Sequence, residues 1–84
     1  MATIAQAQDL IIKARALREA GEFSSAAKCA ISAQRIAGQS RARIAPDVAW
    51  TAHNVIASCQ MRAQTQTDRS NVGRAMGESR LIGW

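Results

Sequence analysis

The chain contains no tyrosine, one phenylalanine, one proline and one histidine, and no apolar run approaches the roughly 20 residues of a membrane span. A shortage of aromatic residues argues against a β-sheet, which is built from aromatic and β-branched side chains. One histidine and two cysteines cannot form a four-ligand metal set without carboxylates drawn from afar. Cys59 follows His53 by six residues, so on a helix the two point to different sides and form no nucleophile–base pair. Gly73 and Gly77 have no strand before them and no Lys-Ser/Thr after them, so they make no phosphate-binding loop. The six acidic residues are scattered and none pairs for acid–base work. These absences lead to the expectation of no enzyme, no cofactor and no metal. Cys29 and Cys59 have no metal-type spacing and are expected to be buried, reduced thiols, with a Cys29–Cys59 disulfide as the alternative in an oxidising compartment. The N-terminus lacks a basic region followed by an apolar run, so the expected location is cytoplasmic, away from membranes.

What is present points to helix. Apolar residues make up 48% of the 84, but 18 residues are alanine, the strongest helix former. Alanine adds little buried area, so the core of this single small domain depends on Ile, Leu, Val, Met, Phe23 and the two tryptophans. Eleven basic residues against six acidic ones give a net charge of +5, and nine of the eleven are arginine. Arginine favours flat, bidentate contacts with carboxylate or phosphate.

Taken in order, the pattern predicts a small all-α, three-helix domain over residues 1–66, built on an antiparallel helical hairpin, with residues 67–84 as a tail or a short fourth helix. Helix one spans about 3–20, with Thr3 as N-cap and Gly21 at its end. Leu10, Ala14 and Leu17 stack on one side, and Ile4, Ile11, Arg15 and Arg18 form the neighbouring stripe. Phe23 is expected to fold between the helices, and Ser24 is read as the N-cap of helix two, about 24–38. That helix has a face of Ala26, Cys29, Ala30, Ala33, Ile36 and Ala37, with Lys28, Ser32 and Arg35 on the solvent side. Pro46 and Asp47 suit the start of helix three, about 46–66. Its main stripe is Val48, Ala52, Val55, Ile56, Cys59 and Ala63, with Trp50, Ala57 and Met61 roughly opposite. Beyond Thr65 the chain turns polar and glycine-dotted. A short helix from about Ser70 is the most it suggests, and Leu81, Ile82 and Trp84 are expected to cover the Trp50–Met61 face or to dock on another chain.

Residues 10–38 resemble a single tetratricopeptide repeat. The roles of large and small apolar residues, turn glycine, aromatic and small second-helix residues fall to Leu10, Ala14, Leu17, Gly21, Phe23, Ala26, Ala30 and Ala33. Lys13 stands where the family usually has Leu, Gly38 where it often has Pro, and no second glycine turn follows Trp50. The resemblance implies a non-catalytic groove, lined by the first helix of each pair, that takes a peptide or helix. The matching groove positions are Gln8, Ile11, Arg15 and Arg18, and the two arginines imply an acidic ligand.

Two functional expectations follow. The first is a non-catalytic protein-interaction module that binds a partner protein with an acidic surface, or a second copy of itself as a homo-oligomer. Its expected contacts are Arg15, Arg18, Trp50, Met61, Leu81 and Trp84, since Trp and Arg dominate interface energetics. Small helical inhibitors and adaptors of the kind phages encode are an analogy for this reading. The alternative is a nucleic-acid-binding protein that uses Arg41, Arg43, Arg62, Arg69 and Arg74 to neutralise phosphates.

Overall fold

The computed structural model describes residues 3–82 and is all-helical over them: α1 (Ile4–Glu19), α2 (Phe23–Gln39), α3 (Ala45–Arg62) and α4 (Gln66–Ile82). The number of helices is a correction to the three-helix expectation. Helix three ends at Arg62 and not near Gln66, and the segment read as a tail or short helix is a helix of 17 residues. Gly73 and Gly77 lie inside it and lower its intrinsic propensity. It persists because Val72, Met76 and Ser79 are buried against its neighbours, and tertiary packing supplies most helix stability in proteins.

Local chemistry sets the helix ends. Thr3 and Gln6 form a reciprocal capping box, with Thr3 Oγ1 accepting from the Gln6 amide at 3.3 Å and Gln6 Oε1 accepting from the Thr3 amide at 2.8 Å. Helix α1 closes in a Schellman turn. The Glu22 amide donates to the Leu17 carbonyl at 2.8 Å and the Gly21 amide to the Arg18 carbonyl at 3.0 Å. That turn puts Gly21 at φ +82°, a conformation that a Cβ would strain. The chain then re-enters helix at once, so α2 starts at Phe23 after Glu22, and Ser24 is not its cap. The Ser24 hydroxyl instead donates to Asp68 Oδ1 at 2.6 Å, 44 residues along the chain. Phe23 is half-buried against the core. Pro46 and Asp47 occupy the first turn of α3. Thr65 Oγ1 accepts from the Asp68 amide at 3.1 Å and starts α4.

Side-chain links reveal how the helices are ordered. Ser24 meets Asp68 near the start of α2 and α4, and Gln34 meets Ser79 near their ends, so α2 and α4 run parallel. Glu19 meets Arg62 at the ends of α1 and α3. The helix ends Glu19 and Arg62, the starts Phe23 and Gln66, and the ends Gln39 and Ile82 are each separated by 43 residues. The described chain is therefore two helix pairs, α1–α2 and α3–α4, stacked in the same sense. Helices α2 and α3 sit at the centre and touch each other and both outer helices, whereas α1 and α4 do not touch.

Helix α2 is wrapped on three sides, which explains its alanines. Ala26, Ala27, Ala30, Ala33 and Ala37 are all buried, and small side chains let three neighbours approach closely. Ile31 and Gln34 are buried too, on the side that α4 covers, while Cys29 and Ile36 from the expected face are only half-buried. Helix α3 contributes Val48, Ala52, Val55, Ile56 and Cys59 to the same core.

Candidate protein-binding groove

Stacking two helix pairs in parallel leaves a groove between the first helix of each. It has a volume of about 410 Å³ and is lined by Gln8, Ile11, Ile12 and Arg15 from α1 and by Ile44, Asp47, Val48 and Thr51 at the start of α3. Positions 8, 11, 12 and 15 are neighbours on one face of α1 at about 100° per residue. Ile11 and Val48 are nearly buried and form the floor, whereas Ile12 and Ile44 stand 65% and 43% exposed at its edges. The Arg15 guanidinium and the Asp47 carboxylate make no hydrogen bond or ion pair among the described residues, so one charge of each sign faces the groove unengaged. Apolar walls with a few convergent polar groups are the usual make-up of a binding site.

Of the groove positions implied by the resemblance, Gln8, Ile11 and Arg15 line this space and Arg18 does not. Arg18 Nε lies 3.3 Å from Glu19 Oε1, and Arg62 Nη1 donates to the same oxygen at 3.0 Å. Arg62, and more weakly Arg18, hold the Glu19 carboxyl below the usual carboxylate range. A lowered value means that this tie between α1 and α3 is in place above the ordinary carboxylate range and is lost as pH falls through the lowered one. Ile12, Ile44, Asp47, Val48 and Thr51 were not singled out for a groove from the sequence. Ile44 before Pro46 was the one available signal, the one large apolar residue of the α2–α3 connection.

The remaining expected contacts lie elsewhere. Trp50 is 53% exposed and stacks on His53 with ring centroids 6.0 Å apart. Met61 and Leu81 are each 88% exposed. Trp50 and Met61 share the outer side of α3 but are separated by three helical turns, about 16 Å. Trp84 lies outside the described residues.

The arginines of the alternative reading are distributed over the molecule. Arg41 and Arg43 are exposed in the α2–α3 connection, at the end of the molecule where α2 finishes and, because the two run parallel, α4 also finishes. Arg62 and Arg69 lie at the opposite end, where Arg62 pairs with Glu19 and Arg69 Nε donates to the Ala63 carbonyl at 3.2 Å. Arg74 is on the middle of α4, facing α2.

Behind the groove, a buried polar chain pins α4 to the centre. Gln34 Nε2 donates to the Ser79 carbonyl at 3.1 Å, the Ser79 hydroxyl donates to Gln34 Oε1, and His53 Nδ1 lies 2.7 Å from Ser79 Oγ. With the hydroxyl proton committed to Gln34, His53 Nδ1 is the donor to Ser79 Oγ. Ser79 thus uses its proton on an amide, away from the histidine, which is the wrong polarity for a nucleophile activated by a base. Among the described residues no group of three or more His, Cys, Asp or Glu could hold a metal ion. No helix among them is long and apolar enough to cross a membrane.

Both cysteines are free. Burial pushes the Cys59 thiol up, against weaker opposing pulls from Arg18 and Arg62. The unfolded chain therefore releases this proton first. The contribution is complete below the ordinary thiol value and is lost as pH rises through the raised one. Thermal melts should accordingly show stability declining above about pH 9. In a native thiol titration half-buried Cys29 should react first and Cys59 only on unfolding; equal rates would contradict the burial of Cys59.

No family model, no curated protein and no solved structure matches this chain.

Proposed function

We propose that this protein is a non-catalytic interaction module that takes an amphipathic segment of a partner protein into the α1–α3 groove. The observation that carries this reading is the pair of exposed isoleucines, Ile12 and Ile44, standing on either side of a floor made by Ile11 and Val48. An apolar residue of the partner would sit on that floor. A carboxylate beside it would meet the unengaged Arg15, and a charge-assisted hydrogen bond there would fix orientation. The groove position agrees with what the tetratricopeptide resemblance implies, since its walls are the first helices of two stacked pairs. Apolar anchors at i, i+3 or i+4 on a helix, or alternate residues of an extended peptide, are the two ways such a segment could present itself.

The nucleic-acid reading is the less favoured one. Arg41 and Arg43 lie at one end of the helices, Arg62 and Arg69 at the other and Arg74 between them, and two of the five are engaged within the protein. A duplex or strand would need them on one continuous face.

Replacing Ile12 and Ile44 together with aspartate tests the reading. Both are surface positions, so the helical signal and melting temperature should change little. The protein that the wild type retains from a host lysate should be lost from the variant, with affinity reduced at least about tenfold. Undiminished retention by a folded variant would discard the groove as the binding site.

A further inference from the structure

A second concavity lies on the opposite side of the stack, between α2 and α4, and its chemistry differs from that of the groove. It has a volume of about 500 Å³. Along α2 it is lined by Ser25, Lys28 and Arg35, and along α4 by Arg74 and Glu78, over an apolar base of Ile31 and Ala75. Ser24, Ser32 and Asn71 complete the wall, and both hydroxyls and the Asn71 Nδ2 already donate within the protein. Ser24 donates to Asp68 and accepts from Asn71, and Ser32 donates to the Lys28 carbonyl.

Charge accounting identifies what this cleft lacks. Three cations against one carboxylate leave it a net charge of +2. The carboxylate, Glu78, is paired with Arg35. Asp68, the other acid of α4, is not among the lining residues and receives the Ser24 hydroxyl. The Lys28 ammonium and the Arg74 guanidinium have no ion pair or hydrogen bond among the described residues, yet they face one concavity from two helices whose spacing the core fixes. Like charges lining a concave surface focus a positive potential within it, and a bound anion relieves their repulsion.

We propose that this cleft binds a small phosphate monoester, with the phosphate between Lys28 and Arg74 and the organic body against Ile31 and Ala75. A doubly charged group matches the cleft's excess charge. Arg74 supplies a planar fork suited to phosphate oxygens, Lys28 a point charge, and the Ser25 hydroxyl a further donor. The volume suits a mononucleotide or a phosphorylated amino acid and lies within the range of small-molecule sites. This site is independent of the α1–α3 groove, from which α2 and α3 separate it.

Amide chemical-shift titration of the full chain at constant ionic strength tests the proposal, with inorganic phosphate, adenosine monophosphate and O-phosphoserine as probes and chloride as the control. Saturable shifts confined to residues 24–35 and 71–78 are expected with phosphate. Tighter binding of the nucleotide or of the phosphoamino acid would tell which body the apolar base accepts. Lys28→Gln combined with Arg74→Gln should weaken binding at least about tenfold, as expected for losing hydrogen bonds to a charged group. Glu78→Gln frees Arg35 and should tighten binding by a few fold. All three are exposed or half-exposed surface positions, and a melting curve on each variant verifies that it is folded. Absence of saturable shifts, equal affinity in the folded double variant, or equal shifts at Arg41 and Arg43 would overturn the proposal.

Discussion

Ile56→Ala will lower the melting temperature by on the order of 15 °C, through a loss of about 3 kcal/mol. Ile56 is the largest fully buried side chain of the described residues, at 0% exposure in the middle of α3. Truncating a buried isoleucine removes its transfer free energy and leaves a cavity that the surroundings fill only in part. The effect is large here because so much of the core is alanine, whose methyl groups cannot move far enough to close the gap. A domain of this size has a stability of only some 5–15 kcal/mol, so one residue accounts for a substantial share. Met61→Ala and Leu81→Ala remove side chains of similar size at 88% exposure and should each change stability by less than about 0.5 kcal/mol. Thermal or denaturant melts of the three variants check the contrast. Similar losses for all three would mean that the core is not where the burial pattern puts it.

The second large effect concerns a polar residue. Gln34→Leu should destabilise the protein by about 2–4 kcal/mol although leucine is the more apolar side chain. Gln34 is 0% exposed and is bonded twice to Ser79, through the Ser79 carbonyl and through its hydroxyl. Removing the amide leaves two buried polar groups of α4 short of a partner, each with a desolvation penalty of about 1–3 kcal/mol. Ser79→Ala added to Gln34→Leu removes one of those orphaned groups, so the double variant should be less destabilised than the sum of the two single ones. The loss should also be local to α4. Hydrogen exchange should rise in residues 66–82 before it rises in α1, which α4 does not touch. Strict additivity of the two substitutions would remove the coupling that the geometry requires.

These two residues also show what the sequence made legible. Ile56 falls on the apolar stripe that helical periodicity picks out, along with Val48, Ala52 and Cys59, and all are buried. The ends set by local chemistry were legible for the same reason: Thr3, Gly21, Pro46 and Asp47 act within one helical turn of where they stand. Gln34 gives no such signal. It is polar, and it is buried only because α4 lies over that side of α2, a fact decided 45 residues further on. Helix α4 itself was underestimated because Gly73 and Gly77 weaken it locally. A Cβ at either would meet nothing in this chain within 4 Å, so their presence follows from no close packing that the fold demands. The run Thr65-Gln66-Thr67-Asp68 was the available sign of a helix start.

The groove divides in the same way. Its α1 wall, Gln8, Ile11 and Arg15, could be named from the resemblance and from periodicity. Its α3 wall depends on the 43-residue offset that aligns the two helix pairs, and on the parallel direction this imposes. Within residues 44–51 only Ile44 stands out as a large apolar residue before the helix, and nothing there says that it faces α1. Ser24 illustrates the converse case. It was read as a local cap because that is the commonest use of serine before a helix, whereas its hydroxyl is used to join the two pairs.

Site-specific photo-cross-linking in the native host tests partner binding in the groove most directly. A photoreactive residue at position 12 or 44 should give one discrete adduct with a host protein. The same residue at Asn54, exposed on α3 but outside the groove, should not. Adducts of equal yield from all three positions, or none from positions 12 and 44, would contradict a groove that holds a partner.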